Sequence, residues 1–315
     1  MRYKVFGKTG LEVSELCLGT WGIGGAGWDQ NPEETKMDAI RASFEQGVNI
    51  FDTAPAYNAG AAERILGETL EKMGVRKDVI LSTKCGNDFV NGQYVHCGKR
   101  DHILAQCDAS LRNLRTDYID LYILHWPQDD ATPEETLGAM MELKKAGKVR
   151  FLGLSNHSVA QMEEAAKYAD IDFIQVQYSM LEREREVEMR YAEAHGMATM
   201  GYGVLGGGLL TGRYRELRTY ETMDSRNRFY KFFREPGWSK AQKLLGVMDE
   251  ISAARGGVPL SEIAVNWALQ KSFLTTALFG TQHRARAIEN CHALDWTLSE
   301  ADIAKLDQAL VEFEI

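Results

Sequence analysis

The sequence predicts an α/β protein, a (β/α)8 barrel, and three observations carry that prediction. Short runs rich in β-branched and apolar residues end near Thr20, Thr53, Lys84, His125, Leu154, Gln177, Tyr202 and Phe279. Between most of them lies a stretch with apolar residues at helical spacing, and repeated strand-then-helix order calls for a parallel sheet with helical crossovers. The length of 315 residues suits about eight such units in one barrel. Two domains, an open doubly wound sheet plus a second unit, are the alternative at this length. Nothing resembling a linker interrupts the alternation, so a single barrel domain over residues 1–315 is preferred.

Each element has its own signal. "GKTG" (7–10) separates two short runs at the start of the chain and reads as a β-hairpin that plugs the barrel floor. "PEETKMDAIRASFEQG" (32–47) opens on Pro and Glu, carries apolar residues at helical spacing and stops at Gly47. Residues 61–74, 101–114, 132–147, 158–169, 183–196 and 259–270 follow the same plan. Two segments are extra. Residues 212–238, rich in arginine and aromatics, form an insertion after the seventh strand, where additional helices are expected and where a lid or binding loop fits. Residues 298–313 predict a C-terminal capping helix.

Composition narrows the function classes. At 44% hydrophobic and 26% charged residues the chain can bury a large core. It has no run of eighteen uncharged apolar residues and no apolar leader at its start, so a cytoplasmic protein is expected. Its five cysteines form no CxxC pair, which predicts free thiols and neither disulfides nor a zinc site. A net charge of −9 argues against nucleic acid or an anionic membrane as the main partner.

Gly22-x-Gly24-x-x-Gly27 spells a dinucleotide-binding fingerprint, and Asp52 offers the acid that a ribose would need. That motif works only when its last glycine opens a helix whose N-terminus holds the pyrophosphate. Here "WDQNP" intervenes, so the Rossmann reading fails on context. A second spelling, Gly201-x-Gly203-x-x-Gly206, leads into the insertion without an acid at the right distance. With 29 glycines in the chain, accidental matches are expected.

Chemistry gathers elsewhere. In a barrel the strand ends face one mouth, and here they supply Asp52 and Tyr57 in "NIFDTAPAY", Lys84 in "ILSTKCG" and His125 in "LYILHWP". A phenol with a pKa near 10 donates protons sluggishly at neutral pH. An adjacent ammonium would lower that pKa, and a carboxylate would hold the ammonium in place. The four together form an acid–base device.

The stretches "NIFDTAPAY", "SLRNLRTDYIDLYILHWP", "GKVRFLGLSNHS", "QVQYSMLER" and "GGGLLTG" resemble the aldo-keto reductase family from one end of the chain to the other. The resemblance implies a TIM barrel that interconverts aldehydes or ketones and alcohols and binds its nicotinamide cofactor without a Rossmann domain. It implies Tyr57 as the proton donor, Lys84 and Asp52 as its tuning pair, and His125 as the residue that orients the substrate oxygen, with Trp126 beside it in the substrate pocket. Ser155, Asn156 and Gln177 would hold the nicotinamide carboxamide and Tyr202 would stack on the ring. Thr20, Trp21 and Asp52 would border the cofactor. Leu205, Gly206 and Arg213 belong to the loop that crosses the pyrophosphate, and Gly280, Gln282, Arg286, Glu289 and Asn290 to the adenosine end. Gln282 departs from the family's usual Arg or Lys, and a neutral amide supplies no charge for a 2′-phosphate. His283, Arg284 or Arg286 would then have to substitute; NADP(H) is expected over NAD(H). An NADPH-binding regulatory subunit with little turnover is the alternative.

Overall fold

The computed structural model describes residues 1–311. β1 (Tyr3–Val5) and β2 (Glu12–Ser14) pair antiparallel, Lys4 opposite Val13. Eight parallel strands then close a barrel: β3 (Leu16–Gly19), β4 (Ile50–Asp52), β5 (Ile80–Cys85), β8 (Ile119–Leu124), β9 (Val149–Ser155), β10 (Phe173–Gln177), β11 (Ala198–Tyr202) and β12 (Thr276–Gly280), with β12 returning to β3. Helices Glu33–Glu45, Ala61–Met73, Arg100–Leu114, Pro133–Lys145, Val159–Ala165, Glu186–Ala194, Leu260–Leu269 and Arg284–His292 connect or follow the strands. The expected insertion helices lie at Ser225–Phe229 and Gly237–Ala254, and the capping helix runs over Glu300–Val311. Residues 312–313 of that expected helix lie outside the described residues.

Strand parity splits the apolar residues into two cores, because successive side chains point to opposite faces. Cys17, Ile50, Ile80, Leu121, Ile123, Phe173 and Met200 point into the barrel, while Leu16, Leu18, Phe51, Leu81, Tyr122 and Leu152 pack outward under the helices. The floor is closed by Phe6, fully buried at the tip of the first hairpin strand, with its ring 5.2 Å from that of Phe173. The hairpin is thus a plug, as its sequence suggests.

Two features were not legible as such. Residues 87–96 form a second hairpin, β6 (Asn87–Val90) with β7 (Gln93–His96), folded over the barrel mouth. Its signal was present: Asn91-Gly92, both at positive φ (50° and 80°), is the two-residue turn that a hairpin favours. The glycine-rich segment after β3 makes only one helical turn, Trp21–Gly24, and the next helix begins at Glu33. Its glycines serve close approach. A Cβ on Gly24 would sit 2.9 Å from the Tyr57 carbonyl oxygen, and one on Gly27 would meet Ser225 Oγ at 2.6 Å. Among the described residues no helix is long and apolar enough to cross a membrane.

Candidate active site

Counting upward along each strand from its floor residue shows how the site assembles. In β5 the inward positions are Ile80, Ser82 and Lys84; in β4 they are Ile50 and Asp52; beyond β8 the same parity continues from Leu121 and Ile123 to His125. Apolar residues at the floor give way to polar ones at the top. Register brings the tops together: Asp52 pairs with Ser82, Lys84 with Ile123, and His125 N–H donates to the Cys85 carbonyl at 3.0 Å.

Asp52 and Lys84 are each only 1% exposed. Lys84 Nζ donates to Asp52 Oδ1 at 2.5 Å and to the Thr53 carbonyl at 2.8 Å. The other oxygen, Asp52 Oδ2, accepts from Ser82 Oγ and Gln175 Nε2, both at 2.8 Å. Every charge is therefore paired and hydrogen-bonded, the condition under which burying ions is tolerable. Tyr57 follows in a turn fixed by Gly24, whose carbonyl also accepts from Asn58 Nδ2 at 2.7 Å. Lys84 Nζ lies 5.0 Å from the centre of the Tyr57 ring, and the His125 ring stands edge-on to it at 5.9 Å.

Burial pushes the Tyr57 hydroxyl well above the ordinary phenol range, and the Asp52 charge adds to the rise. The direction is opposite to the one expected from Lys84, because desolvation is the largest cause. Burial first, then Lys84 and His96, hold His125 well below the usual imidazole range. At neutral pH the mouth therefore presents a protonated phenol and a neutral imidazole.

A cavity of about 580 Å³ opens above these residues. Of the residues that the sequence assigns to cofactor or substrate, it is lined by Thr20, Trp21, Asp52, Tyr57, His125, Trp126, Ser155, Asn156, Tyr202, Leu205, Arg213, Gly280, Gln282, Arg286, Glu289 and Asn290. Lys84 lies beneath, against Asp52. Gly206 is buried beside the cavity, and its neighbours Gly207 and Gly208 form the wall instead. Gln177 does not line it either; Gln175 does. The two share one face of β10, so the inward glutamine is one pleat deeper than the strand-end position suggested.

The wall opposite Asp52 is ordered by a turn with a legible sequence. Ser158 and Gln161 form a capping box on the helix Val159–Ala165, which leaves Asn156 just before it at φ 64°. Asn156 Nδ2 donates to the His125 carbonyl and Ser155 Oγ at 3.1 and 2.9 Å, and its Oδ1 accepts from the Tyr202 hydroxyl at 2.9 Å. That leaves the Ser155 hydroxyl proton, one Asn156 Oδ1 lone pair and Gln175 Oε1 for a ligand. One donor and two acceptors match a primary carboxamide. Next in sequence, His157 is buried, bonded to the Ser155 carbonyl at 2.8 Å and pushed down by burial to about 4. Between that value and the unfolded ~6.5 the unfolded chain binds more protons, so stability falls as pH falls. Urea unfolding at pH 7.5 and pH 5 is expected to differ by about 2 kcal/mol on account of His157 alone, and His157→Gln should abolish that share.

At the far end, the Gln282 amide is fully engaged. Its Nε2 donates to the Gly22 and Asp29 carbonyls and its Oε1 accepts from Asn31 Nδ2, all at 2.8 Å. Of the three residues expected to substitute for a basic side chain here, His283 and Arg286 line the cavity. Arg284 does not; it pairs with Glu45 at 2.7 Å and Asp38 at 3.3 Å on the outer helix. The arginine-rich insertion packs onto the barrel mouth: Ser225 N–H donates to the Gly27 carbonyl at 2.9 Å, the Phe229 ring lies 5.4 Å from that of Trp21, and Phe229 and Tyr230 line the cavity. Arg226 bonds Asp224, Tyr214 and Asp29 and sits 5.0 Å from the Tyr220 ring, so its charge is satisfied within the chain.

The chain matches the model of the aldo/keto reductase family over residues 15–311. It is 38% identical over 303 residues to the aldo-keto reductase YhdN of Bacillus subtilis (strain 168), covering 96% of this chain and 91% of that one. It is 32% identical over 317 residues to the NADH-specific methylglyoxal reductase of Escherichia coli (strain K12), covering 94% of each. Among solved structures it is similar to a glycerol dehydrogenase of Gluconobacter oxydans, with a TM-score of 0.88 at 29% identity over 99% of this chain and 95% of that one. The closed barrel, the acid–base cluster in its mouth and these likenesses agree: the chain belongs to the aldo/keto reductase family and is an NAD(P)-dependent oxidoreductase acting on carbonyl compounds.

Proposed function

We propose that this site reduces a small aldehyde or ketone to its alcohol, and the reverse, with Tyr57 as proton donor in reduction. The observation that carries this reading is Tyr57 lining the cavity with the His125 ring edge-on to it at 5.9 Å and Lys84 Nζ, in a buried pair with Asp52, 5.0 Å from its ring centre. The nicotinamide cofactor supplies the hydride when bound. Tyr57 and His125 hold the carbonyl oxygen, and Tyr57 delivers its proton there as negative charge develops. Lys84, fixed by Asp52, stabilises the phenolate left behind. Ser155, Asn156 and Gln175 would hold the carboxamide, the Leu205–Arg213 loop would lie by the phosphates, and Gly280, Glu289 and Asn290 would border the adenosine. We infer NADP(H) over NAD(H), with His283 and Arg286 facing the 2′-phosphate because these two line the cavity and Arg284 does not; Arg286 would do so from its pair with Glu289 at 2.6 Å. We place the enzyme in the cytoplasm as one barrel domain over residues 1–315.

Titration of the protein with NADPH and with NADH, read by quenching of tryptophan fluorescence, followed by a panel of aldehydes, ketones and alcohols, tests the reading. Tighter NADPH binding and oxidation of NADPH on adding aldehyde are expected. Tight cofactor binding without turnover anywhere on the panel would favour a regulatory subunit instead.

A further inference from the structure

The segment between β3 and the helix Glu33–Glu45 supplies two rings to the cavity wall, Trp21 and Trp28, yet residues 25–32 have no regular secondary structure. A chain without a helix or a ladder must find other partners for its carbonyls, and here they come from distant parts of the molecule. Asn58 Nδ2 donates to the Gly24 carbonyl at 2.7 Å, and Ser225 N–H to that of Gly27 at 2.9 Å. Gln282 takes the residue that follows each tryptophan: its Nε2 donates to the carbonyls of Gly22 and Asp29, both at 2.8 Å. Both N–H groups of the amide are thereby used. Asn31 Nδ2, 2.8 Å from Oε1, fixes which way the amide faces, and Gln282 is only 8% exposed.

The two rings lead to the reacting end of the cavity. Trp28 stands edge-on to Trp21 at 5.2 Å, and Trp21 stacks on Tyr57 at 6.3 Å with 26° between the planes. The same segment presses on the Tyr57 backbone, where a Cβ on Gly24 would come within 2.9 Å of the carbonyl oxygen. Gln282 itself follows β12, two residues past Gly280, and touches neither Tyr57 nor its ring neighbours by any hydrogen bond.

We propose that Gln282 is a positioning residue for the reduction: by holding the carbonyls of Gly22 and Asp29 it fixes the segment that carries Trp21 and Trp28, and through the Trp21 ring it sets where the Tyr57 phenol stands. The inference rests on the carbonyl-reductase reading with Tyr57 as proton donor. A displacement of about 1 Å at a reacting group, caused by a change far from the chemistry, can cost about 10²-fold in rate. Gln282 therefore acts on turnover, and its effect is the same whichever carbonyl is reduced.

The experiment measures kcat for glyceraldehyde and for benzaldehyde at saturating cofactor in the wild type, Gln282→Met, Trp21→Ala and the double variant, with Tyr57→Phe as control. Gln282→Met keeps the length of the side chain and removes both donors. It should lower kcat by about 10- to 100-fold on both aldehydes alike, by more than it changes the cofactor dissociation constant. In the Trp21→Ala background the same substitution should cost less than about threefold, because residues that act through one another do not add. The tryptophan emission of the cofactor-free protein should shift in Gln282→Met, since Trp21 and Trp28 ride on the released segment. Asn31→Ala, which frees the Gln282 amide to turn, should lower kcat in the same direction and carries the test if Gln282→Met misfolds. An unchanged kcat, a loss confined to cofactor affinity or to the urea midpoint, an unchanged emission, or costs that multiply in full with Trp21→Ala would each overturn the inference. If Tyr57→Phe loses turnover in that same assay, carbonyl reduction with Tyr57 as donor still stands. A wild type that reduces neither aldehyde, or a Tyr57→Phe as active as the wild type, would overturn the reading beneath it as well.

Discussion

Tyr57→Phe is expected to lower kcat by about 10²- to 10⁴-fold, the range that a positioned acid contributes, while the cofactor dissociation constant stays within about twofold. In the proposed reading the phenol supplies the proton, whereas the residues proposed to hold the cofactor, Ser155, Asn156, Gly280 and Asn290 among them, are other residues of the cavity lining. The ring would keep its packing against Trp21, centroid to centroid 6.3 Å, and its edge contact with His125. Steady-state turnover beside a fluorescence titration separates the two effects. Turnover at the wild-type level would remove Tyr57 from its role.

Asp52→Ala is expected to cost about 3–5 kcal/mol of stability, because removing one member of a buried ion pair leaves the other uncompensated. Lys84 would keep only the Thr53 carbonyl, and Ser82 and Gln175 would lose their shared acceptor. The midpoint of urea unfolding reads this directly. The double variant Asp52→Ala/Lys84→Met should recover much of the loss, since it buries no unpaired charge. A double variant as unstable as the single one would place the cost in packing and remove the ion pair from the account. Turnover should fall in both, as the phenolate loses its neighbouring ammonium or that ammonium loses its anchor.

The fold was legible because its signals are local and repeated. Gly47 ends one helix pattern, Thr132-Pro133 begins another with a side-chain cap to Glu135, and Ser158 with Gln161 begins a third. The hairpin of residues 87–96 escaped because its Asn-Gly turn is flanked by exposed, weakly alternating residues such as Val90 and Val95. At the site, the strand-end residues Asp52, Lys84 and His125 were legible from position alone. Gln175 was not, because it and Gln177 share a face and only the depth of β10 in the barrel decides which one reaches Asp52.

The sequence by itself determined the barrel, the strand ends that meet at its mouth and the residues that could form an acid–base cluster, since periodicity and capping act over a few residues. Tertiary structure alone decided which charges meet and which are already engaged. It joined Asp52 to Lys84, tied Gln282 to the glycine segment and turned Arg284 onto an outer helix. It also set the direction of the Tyr57 shift. Desolvation and pairing depend on what surrounds a group in three dimensions, and contacts between residues tens or hundreds of positions apart leave no mark in the local pattern.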